Sequence, residues 1–299
     1  MLAGAREFFA SRAVLEVETP LLSAGAVTDP HIESLSTEVG GSRVYLCPSP
    51  EYAMKRLLAA GAGDIYQICK AFRDGERGRW HNPEFTLIEW YRVGFDDAAL
   101  MSEVEALIGR LLQPYRPVAP AERLSYAAAL QRHAGVDASA GDDELTACAV
   151  RHGIVCSAHL DRDAKLDLLV GMVVGPRLGW DRPCFICDYP PSQAALARLK
   201  QSRPAVAARF ELYVDGLELA NGFHELLDAG EQRRRFSQDL ALRRARGQSL
   251  PPADPHLIAA LQAGLPDCAG VALGFDRLVA VALRAQRLSE VLAFTIDNA

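Results

Sequence analysis

Three segments of the chain group arginines, carboxylates and small residues in patterns suited to phosphate chemistry. The first is Phe72–Tyr91, FRDGERGRWHNPEFTLIEWY. Arg73 leaves one strand-like run, a Gly-containing loop holds His81 and Asn82, and the return run alternates its side chains. On an extended strand, Phe85, Leu87, Glu89 and Tyr91 then line one face at intervals of roughly 6–7 Å. A loop arginine beside an aromatic ring suits a nucleotide: the guanidinium forks onto phosphate and the ring stacks on a base. A core strand carrying a surface ion pair fits the same residues.

The second segment, FELYVDGLELANGFHELLDAGEQ, sets Glu218 and Glu225 seven positions apart across a bend made plausible by Asn221 and Gly222. Two carboxylates sharing a hard cation with nucleotide phosphates would form a Mg²⁺ site; two solvated carboxylates are the plainer alternative. In the third, GVALGFDRL, a strand of small residues runs through Gly274 into a helix with Arg277 in its first turn. Free N–H groups at a helix start attract anions, and an arginine there strengthens the effect. An Asp276–Arg277 surface pair is the competing reading.

These residues need elements to hold them. Apolar spacing predicts a helix over Met1–Ala13, then a strand in VLEVETP stopped by Pro20. A strand VYLC leads into a helix PEYAMKRLLAAG, with Pro50 at its first position and Gly61 at its end. DIYQICKAF and FTLIEWYRV form a hairpin around the long charged loop. An amphipathic helix follows at 98–112, then a mostly helical, Ala-rich stretch at about 123–183. The remainder alternates strands (FELYV, LELAN, GVALG) with helices at about 230–246, 254–263 and 275–285. Hairpin strands followed by helices indicate an α+β fold, an antiparallel sheet covered by helices.

The 299 residues carry a formal charge of −6 and no block of five like charges, which counts against a dedicated nucleic-acid binder. Seven scattered cysteines and no basic-then-apolar leader point to a reducing cytoplasm. No run reaches the ~18 apolar residues of a membrane span. Cys184 and Cys187 have zinc-like spacing but strand-like flanks and no second pair, so buried thiols are the better reading.

SPEYAMKRLLAAG, FRDGERGRWHNPEFTLIEWY, GLELANGFHELLDA and GVALGFDRL, in this order and over nearly the whole chain, resemble the catalytic domain of class II aminoacyl-tRNA synthetases. VLEVETP stands as that family's dimer-forming first motif. The likeness is strongest to lysyl-tRNA synthetase and to the short paralogs that join (R)-β-lysine to elongation factor P. It implies one catalytic domain over 1–299, with the stretch at about 123–183 as an insertion. A lysyl-tRNA synthetase has an N-terminal anticodon-binding OB domain, on the order of a hundred residues; here the helix before the first motif begins at Met1. That difference favours the paralogs, as do ANGFHEL and VALG where the synthetase has GNGFSEL and a Gly-Ile-Gly segment. The alternative is an α-lysine-activating enzyme with another acceptor.

The resemblance carries roles residue by residue. Arg73 and Arg277 act on the phosphates. ATP meets Arg73, Asp74, Gly75, Glu76, His81, Asn82, Phe85 (stacked on adenine), Glu218, Leu219, Gly274 and Arg277. Ser49, Pro50, Glu51, Glu89, Tyr91, Glu225 and Ala272 line the β-lysine pocket, and Glu218 and Glu225 hold Mg²⁺. The enzyme is implied to be a cytoplasmic homodimer, with residues near Phe8 and Val17 to Pro20 at the interface, acting on elongation factor P and not on tRNA. Two departures stand out. The usual Phe-Arg-x-Glu is Phe72-Arg73-Asp74-Gly75, which displaces the adenine-contacting carboxylate to Glu76, and Gly230 replaces a glutamate of the synthetase's lysine pocket.

Overall fold

A computed structural model describes residues 1–157 and 160–299. Its contacts divide into two compact units, residues 1–96 with 225–299, and residues 97–224.

The first unit opens with α1 (Leu2–Ala10), whose Ala5, Phe8 and Phe9 recur on one buried face. Phe9 stacks on Tyr66 at 4.3 Å and meets Trp90 edge-on at 5.3 Å. Rings buried this way stabilise by about 1.5–3 kcal/mol each. Phe8 lies in the same core at 1% exposure, so its ring is not free to meet a partner; Leu15 and Leu22, 56% and 45% exposed, are. Of the strand expected in VLEVETP only β1 (Leu15–Glu16) forms. Val17 N still reaches Tyr66 O, but Thr19 turns its hydroxyl to Gln67 and Pro20 has no donor to continue a ladder.

β2 (Leu22–Ser23), β3 (Ser36–Val39) and β4 (Ser42–Leu46) make a small sheet in the order β2-β4-β3. Next come α2 (Glu51–Ala59), capped by Pro50, and the hairpin of β5 (Ile65–Phe72) and β6 (Glu84–Val93).

In the second unit, α3 (Asp97–Leu112) precedes β7 (Glu122–Ser125), α4 (Tyr126–His133), α5 (Asp142–Arg151) and α6 (Arg162–Leu169). α3 is the amphipathic helix expected at 98–112, and α4 to α6 fall in the mostly helical stretch expected at about 123–183. Ser125 and Asp161 start α4 and α6 by accepting from Ala128 N and Ala164 N. β8 (Cys184–Tyr189), β9 (Leu199–Lys200), β10 (Val206–Val214) and β11 (Leu217–His224) complete the unit, with β11-β10-β8-β7 in one sheet. Cys184 is buried and Cys187 partly buried on β8. Among the described residues no three His, Cys, Asp or Glu side chains group as a metal site.

The chain then returns to the first unit with α7 (Ala229–Ala245), α8 (Pro255–Gly264), β12 (Cys268–Gly274) and α9 (Phe275–Leu283). β12 pairs antiparallel with β6, giving the order β1-β5-β6-β12. On α7, fully buried Arg243 donates to Asp29 O at 2.8 Å, Ile32 O at 3.1 Å and Ser249 O at 2.7 Å, fixing the loop after β2. No helix among the described residues is long and apolar enough to cross a membrane.

Candidate active site

The register across β5, β6 and β12 sets Gln67, Glu89 and Ala272 in one row and Ile65, Tyr91 and Gly270 in the next. Glu89 and Tyr91, two apart on β6, share a face as strand alternation requires. Tyr91 OH donates to Glu89 Oε1 at 2.7 Å, and Ser49 Oγ donates to Oε2 at 2.7 Å. Ser49 Oγ also accepts from Glu51 N at 3.0 Å, tying the start of α2 to β6.

One turn along α2, Lys55 Nζ reaches Glu51 Oε1 at 2.5 Å and Glu225 Oε2 at 2.6 Å. Lys55 is 2% exposed and Glu225 0%. Glu51 and Glu225 thus touch the ammonium, and Glu89, bonded to Ser49 and Tyr91, lies near enough to feel its charge. Burial, and then the nearby Glu51, push the Glu89 carboxyl up to about 7. Burial opposes the charge on Lys55, but Glu225 and Glu51 outweigh it and hold the ammonium above its ordinary range. A pocket of desolvated negative charge is chemistry for a bound ammonium.

Next to it is an arginine–aromatic arm. The Arg73 guanidinium lies 5.1 Å from the centre of the Phe85 ring, and its Nη1 donates to Glu76 Oε1 at 3.3 Å. Gly75, at φ +74°, makes the turn that folds Glu76 back. The displaced carboxylate thus faces Arg73. Asp74 N is held by Glu33 O at 2.8 Å. At the start of α9, after Gly274, Asp276 accepts from Thr86 N at 2.7 Å and so locks the helix to β6. Arg277 donates to Trp80 O at 3.2 Å and to His81 Nε2 at 2.7 Å. An arginine cannot accept, so that imidazole nitrogen carries no proton. Desolvation and then Arg277 hold His81 below its usual range.

The loop is finished by residues far along the chain. Leu288 N donates to Arg79 O at 3.0 Å, Ile296 N to Asn82 Oδ1 at 3.0 Å, and Arg77 pairs with Asp297. Asn82 Nδ2 donates to Glu84 O at 2.6 Å, so both ends of its amide are engaged within the protein.

In the second unit, a bulge in β11 aligns Tyr213 with Glu218 after Leu212 with Ala220, leaving Leu219 as the extra, buried residue. Such a bulge re-aims the adjacent side chain. Half-buried Glu218 is its product.

Arg73, Asp74, Gly75, Glu76, His81, Asn82, Phe85 and Arg277 thus form one arm, and Ser49, Pro50, Glu51, Glu89, Tyr91, Glu225 and Ala272 the pocket beside it. Sequence reasoning missed two residues. Lys55 sits four after Glu51, the spacing of an ordinary surface ion pair, which hides its burial. Gly270 lies in a strand noted only for its small residues. A Cβ there would lie 2.2 Å from Tyr91 Cε1 and 2.7 Å from Glu225 Oε1.

A strand-borne carboxylate pocket beside an arginine–aromatic arm, on an antiparallel sheet with helices, defines a class. The chain matches the family described as tRNA synthetases class II (D, K and N) over residues 1–298, and it belongs to that family. It is 50% identical over 303 residues to an elongation factor P (R)-β-lysine ligase of Salmonella arizonae, covering 98% of this chain and 92% of the relative. A Klebsiella pneumoniae protein of the same name is 50% identical over 308 residues, covering 100% and 94%.

Proposed function

We propose that this enzyme activates (R)-β-lysine with ATP and transfers it to a lysine side chain of elongation factor P. The observation that carries the reading is the buried carboxylate pocket next to the Arg73–Phe85 arm; the names of the 50%-identical relatives support it. A β-lysine carboxylate oxygen bonds to the α-phosphorus while the bond to the pyrophosphate oxygen breaks, giving the adenylate. The acceptor amine then bonds to the acyl carbon, AMP leaves with the C–O electron pair, and the amine loses a proton to solvent. Arg73 and Arg277 are preplaced cations for charge growing on the phosphate oxygens. Phe85 takes the adenine, and Glu51, Glu89 and Tyr91 accept from the substrate ammonium groups.

Mg²⁺ suits the oxygen donor set of Glu218 with ATP phosphates and would neutralise phosphate charge there. Glu225, the second expected ligand, is engaged by Lys55 and in this reading serves the amino pocket. The exposed Leu15 in the first motif and Leu22 just after it form the face of a homodimer, and the seven free thiols suit a reducing cytoplasm. The test is ATP–pyrophosphate exchange with a panel of lysine isomers, followed by the mass of elongation factor P. Exchange led by (R)-β-lysine and a mass gain of one β-lysyl group are expected. Exchange with α-lysine alone would overturn the assignment.

A further inference from the structure

Lys55 has no place in the chemistry above, yet it is the most heavily engaged cation of the pocket. Its neighbours on α2, Met54 and Leu58, are core residues, and Lys55 is buried with them. A buried ammonium needs acceptors, and one carboxylate suffices for that. Lys55 has two, one from its own helix and one, Glu225, from the distant segment that re-enters the first unit. The third carboxylate, Glu89, is held by the neutral donors Ser49 and Tyr91.

Burial raises the carboxyls of Glu89 to about 7 and of Glu225 to about 8, and an incoming ammonium favours their ionised forms; once all three carboxylates are ionised, the Lys55 ammonium leaves two negative charges for the ligand. A ligand bearing one ammonium leaves a buried negative charge unbalanced. A ligand bearing two closes the count.

We propose that Lys55 is the fixed counter-cation of the amino-acid pocket: it orients Glu51 and Glu225 and sets the residual charge at the value that fits a diammonium ligand. The inference deepens the assignment of this pocket to β-lysine and rests on it. β-Lysine carries its ammonium groups on carbons 3 and 6, the spacing of 1,4-diaminobutane. Lys55 selects the diamine class and not the isomer, since α-lysine carries the same charges. It touches no reacting atom and is a positioning residue.

The experiment pairs pyrophosphate exchange with calorimetric titration by 1,4-diaminobutane, on the full chain, its Lys55→Met variant and the Lys55→Met/Glu225→Gln double variant. The single variant is expected to weaken diamine binding and raise the KM for β-lysine by about ten-fold or more, at 1.4 kcal/mol per decade, with the KM for ATP within about two-fold. The double variant restores the residual charge of the native pocket but lacks one of its carboxylates, and is expected to bind the diamine more tightly than the single variant and less tightly than the native protein. Diamine binding unchanged in the single variant, or no better in the double than in the single, overturns the role of Lys55. So does failure of the native protein to bind the diamine. If Lys55→Met does not fold, the double variant decides alone: diamine binding abolished in a folded double variant overturns the role of Lys55. A native protein that binds the diamine but exchanges pyrophosphate with no lysine isomer would sink the assigned activity and leave the counter-cation result standing.

Discussion

Gly270 lies directly across the β6–β12 ladder from Tyr91, close enough that the smallest side chain would overlap the tyrosine ring. The glycine is what lets the Tyr91 ring lie beside Glu225. Replacing it by alanine should force the ring or the strand to move, and overpacking of this kind costs about 1–3 kcal/mol. A lower urea midpoint together with loss of exchange activity is expected for Gly270→Ala. Native stability and activity would show that the ring has another resting place.

Ala272 stands one row along, opposite Glu89. Moving an amino group from the α to the β carbon shifts it by one bond, so a methyl that fills the α-amino space can discriminate. Ala272→Gly is expected to raise kcat/KM for L-α-lysine relative to β-lysine by roughly ten-fold, the size of an overpacking penalty of about 1–3 kcal/mol. Exchange assays with both isomers measure it; an unchanged ratio removes Ala272 from selectivity.

Glu89 gives the pocket a pH dependence. Its carboxyl is raised from 4.5 to about 7 by burial, so below that pH it is protonated and offers no charge to an ammonium. The KM for β-lysine should rise as pH falls below about 7 and level off above it. The stability sign is the reverse. A carboxyl raised on folding favours the folded state below its unfolded value, and that contribution is lost as pH rises through about 7. Both effects should vanish in Glu89→Gln; persistence of the KM profile would place the titration elsewhere.

Arg73 is half-buried, and its side chain donates to Glu76 and to Pro48 O, two contacts near the surface on which folding does not hinge. Losing a preplaced cation of the transition state typically lowers kcat by about 10²–10³. Arg73→Ala should fold with a native circular dichroism spectrum and lose exchange by that factor. Near-normal exchange would remove it from the mechanism.

The arginine–aromatic arm was legible in the sequence because strand alternation alone puts Phe85, Glu89 and Tyr91 on one face. The charge balance of the pocket was not. Lys55 and Glu51 have the spacing of a solvent-exposed pair, and only the third partner, Glu225, brought from 170 positions away, makes that pair a buried one. Gly270 was hidden for a related reason: what forbids a side chain there is a ring on another strand. The shortness of β1 and the inward turn of Phe8 likewise depend on β5 and the core, which no local pattern records.

The contacts of Arg77, Arg79 and Asn82 with Asp297, Leu288 and Ile296 have a temporal meaning during synthesis. A ribosome makes this loop early and its fastenings some two hundred residues later. Until those contacts form, the loop lacks the partners that give it shape, and its ordering must wait for some of the longest-range pairings of the fold. The loop therefore takes its final shape late in folding, after segments some two hundred residues apart have met.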